Sequence, residues 1–211
     1  MLPADDHTLA ILSSETSLLR RLVDDLQDLS VAESGRLSLD IRCVSLAELV
    51  GGLFESVRPQ AEELGVELSS AVSRQLPPLL ADERRLRQVL ANLISNALVY
   101  TPRGGQVRVE ASSANGRVEV AVTDTGSGIS AEDQLRIFER FYRSDRARPR
   151  STGGAGLGLT IARELVHAMK GEMGVTSAPT QGSRFWLKLP QANVEAAAPP
   201  PSKRQRATRA A

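Results

Sequence analysis

The sequence is poor in the side chains that most metal, redox and stacking chemistry requires. Among its 211 residues there is one cysteine, Cys43, which excludes an internal disulfide and any multi-thiolate metal site. The two histidines, His7 and His167, lie far apart in the chain, which disfavours a histidine-based metal centre. Aromatic residues make up 3% of the chain, against single-strand nucleic-acid platforms built on stacking. The formal net charge is +1, so the overall balance points neither to nucleic acid nor to acidic partners. No apolar run approaches the length of a membrane span, and the N-terminus has no signal-peptide pattern. The chain as given is expected to be soluble and cytoplasmic.

What is present is a hydrophobic content of 41%, enough to bury one domain with appendages. The organising stretch is DERRLRQVLANLISNALVY, residues Asp82 to Tyr100. Leu86, Val89, Leu90, Leu93 and Ala97 recur at helical spacing and predict one buried face. On a neighbouring stripe, Gln88, Asn92 and Asn96 follow at steps of four. Two amides one turn apart beside a core face can hold a hydrated cation.

Residues from about Asp5 to Ala32 read as one helix with a heptad seam. Leu12, Leu19 and Leu26 form one series and Leu22 and Leu29 a second. Such a seam has to pack on the rest of the chain, on a second copy or on a different protein. From Arg42 onward β-like and helical patterns alternate. Ser45 is expected to cap a helix that Gly65 ends, and short strands are expected at Arg42 to Ser45, Val66 to Val72 and Leu79 to Ala81. Gln106 to Ser112 and Arg117 to Thr123 form a hairpin with Asn115-Gly116 at its turn. A helix from Leu157 to Met169 and strands Glu172 to Ser177 and Ser183 to Leu189 complete a layered α/β domain. The tail Gln191 to Ala211, with its proline run and its cluster Lys203, Arg204, Arg206 and Arg209, reads as disordered.

Three further segments carry chemistry. Asp124-Thr125-Gly126-Ser127-Gly128-Ile129 leaves the second hairpin strand. A carboxylate there can accept from an exocyclic amine, and the glycines let a flat ring approach the backbone. Ile137-Phe138-Glu139-Arg140-Phe141-Tyr142-Arg143 is an aromatic anchor followed by a basic stretch, suited to closing over a triphosphate. Gly153-Gly154-Ala155-Gly156-Leu157-Gly158-Leu159 opens a helix as an anion cradle. It lacks the terminal GK[ST] of a P-loop and the preceding strand of a dinucleotide-binding fingerprint.

In order and spacing, the asparagine helix, DTGSGI, FERFYR and GGAGLGL resemble the N, G1, F and G2 boxes of sensor histidine kinases. The resemblance covers about Arg42 to Pro190, and RRLVDDLQDLSVAESGRLSLDI resembles the end of the second helix of that family's dimerisation hairpin. It implies a two-layer α/β sandwich of a mixed β-sheet and helices, as in the related gyrase and MutL domains. The expected organisation is a partial dimerisation hairpin over 1–34, an ATP-binding catalytic domain over 42–190 and a basic, proline-rich tail over 191–211.

By this resemblance ATP and Mg²⁺ are the expected ligands. Asn96 would bind Mg²⁺ with Asn92 in support, and Asp124 would read the adenine amino group while Gly126 and Gly128 admit the ring. Tyr100 would pack near the base, and Ile129, Phe138, Leu157 and Leu159 belong to the same ATP-binding set. Arg143 would meet the γ-phosphate, with Asn92 and Arg143 as the catalytic pair. Gly154, Gly156 and Gly158 would shape the hinge and phosphate cradle. Gyrase, MutL and the anti-sigma serine kinases carry a glutamate one turn before the metal asparagine. Here that place is Asn92, which cannot act as a general base. Val99 departs from the basic or polar residue many relatives have.

The family's acceptor motif, of the HELRTP kind, is absent. Neither His7 nor His167 has its context. The resemblance therefore implies a histidine supplied in trans, a homodimer or histidine-bearing partner bound through residues 9–29, and a response regulator. A membrane-bound sensor region would lie on another chain or outside this sequence. The competing expectation is a non-catalytic ATP-sensing module or a truncated kinase fragment.

Overall fold

The computed structural model describes residues 37–143 and 156–192, together with the single helical positions Thr16, Val23 and Leu26. Of the leucine seam, Leu26 is helical and 48% exposed. Leu12, Leu19, Leu22 and Leu29 lie outside the described residues, as do His7 and the tail from residue 193.

The domain opens with strand β1, Arg42–Val44, and helix α1, Leu46–Leu64. Ser45 caps α1 by accepting from the Glu48 amide, and Gly65 ends it in the left-handed region at φ 65. Strands β2, Glu67–Ala71, and β3, Leu79–Ala81, lead to helix α2, Glu83–Tyr100. Asp82 is the N-cap of α2. One carboxylate oxygen accepts from the Arg85 amide at 3.1 Å and the other from the Asp40 amide at 3.0 Å. Burial alone would raise the Asp82 pKa. The Asp40 and Arg85 amides and the Arg84 charge outweigh it and hold the carboxyl below its usual value.

Strands β4, Gln106–Ala114, and β5, Arg117–Asp124, form the expected hairpin. The strands run further than the sequence pattern indicates, because Ala114 pairs with Arg117 and leaves only Asn115 and Gly116 in the loop. Both have positive φ, 54 and 71, the two-residue turn whose twist matches that of the strands. A six-residue helix, α3, Ala131–Arg136, was not expected from the sequence. Helix α4, Gly158–Ala168, and strands β6, Glu172–Ser177, and β7, Ser183–Pro190, follow.

Five strands make one mixed sheet in the order β2-β4-β5-β7-β6, with β2 parallel to β4 and the other pairs antiparallel. β1 and β3 form a separate antiparallel pair. Alternate residues of the central strands, Val107, Val109, Val118, Val120, Val122, Leu187 and Leu189, are buried. They share a core with Leu86, Leu90, Leu93, Ile94 and Leu98 of α2 and Ile161 and Leu165 of α4. Each fully buried leucine contributes roughly 1.5–3 kcal/mol. The result is a two-layer sandwich in which the polar stripe of α2, the end of β5 and the start of α4 flank the core.

Candidate functional site

β5 terminates at Asp124, opposite Ser183 of β7. Asp124 is only 5% exposed, and its Oδ1 accepts the Gly126 amide at 2.8 Å. Burial pushes its pKa above the ordinary aspartate value, opposed by the amides of Gly126 and Ser183. A carboxylate in so dry a place makes a strong acceptor for an amine donor. Gly126 lies against the last turn of α2. A Cβ there would stand 2.5 Å from the Tyr100 carbonyl oxygen and 2.7 Å from Asp124 Oδ1. The Ser127 amide donates to that same Tyr100 carbonyl at 3.4 Å. The Tyr100 side chain is exposed at this edge. Gly128 has φ 67, and a Cβ on it would run into the Ala178 carbonyl.

Asn92 and Asn96 stand one turn apart on α2, both half-buried. Asn92 Nδ2 donates to the Gly158 carbonyl at 3.2 Å, joining α2 to the first turn of α4. Asn96 makes no side-chain hydrogen bond among the described residues. Leu157, the N-cap residue of α4, makes no side-chain cap hydrogen bond, and a helix N-terminus of this kind favours negative charge. The amide oxygens of Asn92 and Asn96 are hard donors of the kind Mg²⁺ takes, and the residues present fit that ion. Among the described residues no cluster of three or more His, Cys, Asp or Glu offers an alternative metal centre.

Phe138 is turned into the core at 8% exposure, with Arg163 5.1 Å above its ring. Its carbonyl accepts from Thr160 Oγ1 at 3.0 Å, which ties this turn to α4. Leu157 is likewise a core residue, and Leu159 packs against the core. These three shape the site by packing. Phe141 is a non-glycine residue at φ 59, and its amide donates to the Gly156 carbonyl at 3.1 Å. A Cβ on Gly156, at φ 74, would approach the Phe141 backbone to 2.9 Å. The chain is thus pinned at both ends of residues 142–155. Tyr142 donates its hydroxyl to Asp133 at 2.6 Å, and the Arg136 guanidinium sits 4.3 Å above its ring. Arg143 is exposed, at the last described position before the gap. Gly154 lies outside the described residues.

The fold therefore brings Asn92, Asn96, Tyr100, Asp124, Gly126, Gly128, Gly156 and Gly158 to one edge of the sandwich. The sequence pattern of the histidine kinase-, DNA gyrase B- and HSP90-like ATPases matches residues 81–193, more than half of the chain. The chain belongs to this family. Within it, the similarity is to sensor histidine kinases. The chain is 35% identical to the sensor protein GacS of Pseudomonas syringae over 200 residues, 92% of this chain and 22% of GacS. It is 37% identical to the sensor-like histidine kinase SenX3 of Mycobacterium tuberculosis over 176 residues, 83% of this chain and 43% of SenX3. It therefore spans less than half the length of these curated relatives. Among solved structures, full-length ShkA in complex with AMPPNP superposes with a TM-score of 0.78 at 35% identity, over 91% of this chain and 40% of ShkA. Histidine kinase AdeS of Acinetobacter baumannii shares the fold, with a TM-score of 0.77 at 24% identity over 92% of this chain and 88% of that structure. The chain carries the ATPase domain of a two-component sensor histidine kinase.

Sequence reasoning missed the residues that hold the Asp124 loop from behind. Thr180 and Gly182 donate their amides to the Ser127 and Gly126 carbonyls at 2.7 and 3.1 Å. Ser177 and Gln134 bind Ile129. The only local hint was Gly182-Ser183 opening the last strand.

Proposed function

We propose that this chain is the catalytic part of a phosphorelay kinase that binds ATP and phosphorylates a histidine supplied in trans. Asp124 accepts from the adenine amino group, Gly126 and Gly128 leave room for the ring, and Tyr100 and Ile129 border it. Asn96 and Asn92 would hold Mg²⁺ through their amide oxygens. The first turn of α4 and the preceding Gly156 receive the phosphates, with Gly154, outside the described residues, assigned to the same cradle from the sequence motif. Arg143 neutralises the γ-phosphate. When bound, Mg²⁺ supplies charge neutralisation along the phosphate chain. The acceptor imidazole nitrogen forms the P–N bond as the bond to the bridging oxygen of the ADP leaving group breaks. The chain's own work is positioning and electrostatics.

The observation that carries this reading is an amide at Asn92, one turn before Asn96, in a site with a buried adenine-type acceptor at Asp124. An amide takes no proton from water, so the site holds ATP for an acceptor and does not hydrolyse it. His167 sits exposed in the last turn of α4, about 14 Å along the axis from the phosphate end at 1.5 Å per residue. That separation supports an acceptor other than His167. The seam over residues 9–29 would bind a second copy or the histidine-bearing partner, and a response regulator would take the phosphoryl group onward. The boundaries 1–34, 42–190 and 191–211 divide these roles. The second reading is a nucleotide-sensing module without transfer, favoured by the missing acceptor motif.

The test is incubation with γ-labelled ATP and Mg²⁺, alone and with an isolated histidine-bearing hairpin from a sensor kinase. Acid-labile, base-stable label on the hairpin establishes transfer in trans. ATP binding without label on any acceptor favours the sensing module.

A further inference from the structure

The loop carrying Gly126 to Ile129 is fixed from a side that none of the four nucleotide segments provides. Ser177, the last residue of β6, accepts the Ile129 amide on its Oγ at 2.8 Å. The same hydroxyl donates to the Gly182 carbonyl at 2.6 Å, and the Ser183 hydroxyl lies 3.1 Å away. Gln134 of α3 places its Nε2 3.0 Å from the Ile129 carbonyl and 2.9 Å from the Ser177 carbonyl. Two carbonyl oxygens at that distance fix the NH₂ end there, because an amide oxygen would meet them lone pair to lone pair. Both backbone groups of Ile129 are thus held by side chains, one from β6 and one from α3.

This loop has left the β5 ladder, and its glycines have no side chains with which to pack. Backbone bonds from Thr180 and Gly182 hold its Ser127 and Gly126 carbonyls, and the Ser177 and Gln134 side chains hold its Ile129 end. We propose that Ser177 and Gln134 are positioning residues for adenine recognition, holding Gly126–Ile129 where Asp124 can read the base without touching the nucleotide themselves. The proposal rests on the reading of Asp124 as the adenine acceptor. It also gives α3, a helix too short to stand alone, a purpose in the site: it brings Gln134 to the loop while Asp133, beside it, holds Tyr142.

The experiment measures dissociation constants for ATP and for inorganic tripolyphosphate in the full chain and in Ser177→Val, Ser177→Thr and Gln134→Ala. Valine matches threonine in shape and lacks the hydroxyl. Ser177→Val and Gln134→Ala are expected to weaken ATP about tenfold each, the scale of one buried hydrogen bond, and to leave tripolyphosphate within about twofold. Ser177→Thr is expected to bind ATP as the wild type does. Unchanged ATP binding in both deficient variants, with a wild type that binds ATP, overturns the positioning role and leaves the Asp124 reading standing. Equal weakening toward tripolyphosphate, with a lowered melting temperature, shows a fold-wide effect and overturns it too. A wild type that binds tripolyphosphate but not ATP overturns the Asp124 reading and the proposal together.

Discussion

The side-chain amide of Asn92 donates to the Gly158 carbonyl at 3.2 Å, joining the middle of α2 to the opening turn of α4 across 66 positions of the chain. One amide thereby serves two ends. Its nitrogen ties α2 to the first turn of α4, and in the proposed site its oxygen would face the cation. Asn92→Ala should cost about 1 kcal/mol of stability, the worth of a part-buried hydrogen bond. In the same variant, phosphotransfer should fall by about 100-fold or more if positioning of the phosphates is the main catalytic term. Denaturant titration and the labelled-ATP assay measure the two effects separately, and full transfer activity would contradict the role.

Gly126→Ala should damage both fold and site. The new Cβ would meet the Tyr100 carbonyl at 2.5 Å, a backbone atom that cannot swing away. Overpacking of this kind costs about 1–3 kcal/mol. The loop must back away from α2, and ATP affinity should fall along with the melting temperature. A variant that binds ATP normally would show that the loop tolerates a shift the structure does not allow.

Gly51→Ala should act in the opposite direction. Gly51 lies in α1 on an exposed face, and a Cβ there meets nothing within 4 Å. Alanine in a helix interior is favoured over glycine by about 0.8–1 kcal/mol. The urea midpoint should rise without any change in nucleotide binding. A fall would mean that this face is covered in solution.

Asp124 sets a pH dependence whose sign follows from its burial. Its pKa is raised in the folded chain, so its contribution to stability is full below the unfolded aspartate value and is lost as pH rises through the folded one. The stability of the nucleotide-free wild type relative to Asp124→Asn should therefore decline as pH rises from acid toward neutral. Melting curves of both proteins across that range test it, and a relative gain with rising pH would contradict the assignment of burial as the dominant cause.

Local chemistry was legible in the sequence where one residue decides one turn. Gly65 at φ 65, Asn115-Gly116 at φ 54 and 71, and the Ser45 cap stand where their residue types predict, whereas Asp82, expected as the first helical residue, is the N-cap. The buried face of α2 followed from its period. The short helix α3 escaped because six residues give no period, although Ser130 accepting the Asp133 amide at 3.1 Å is a capping signature. The sheet order was not legible from the residues, since β5 pairs with β7 and β2 with β4 across long stretches of chain. For the same reason Ser177 and Gln134 could not be seen as neighbours of Ile129. Phe138 and Leu157, expected in the ATP-binding set, are buried in the core, a placement that an apolar residue's sequence context does not reveal.

The most direct measurement is a calorimetric titration of ATP with Mg²⁺ into the wild-type chain and into Asp124→Asn. The account predicts saturable 1:1 binding to the wild type and a loss of affinity of about tenfold or more in the variant, which keeps the shape of the side chain but offers its amine one acceptor fewer. Equal binding by the two proteins, or none by the wild type, would contradict Asp124 as the reader of the base.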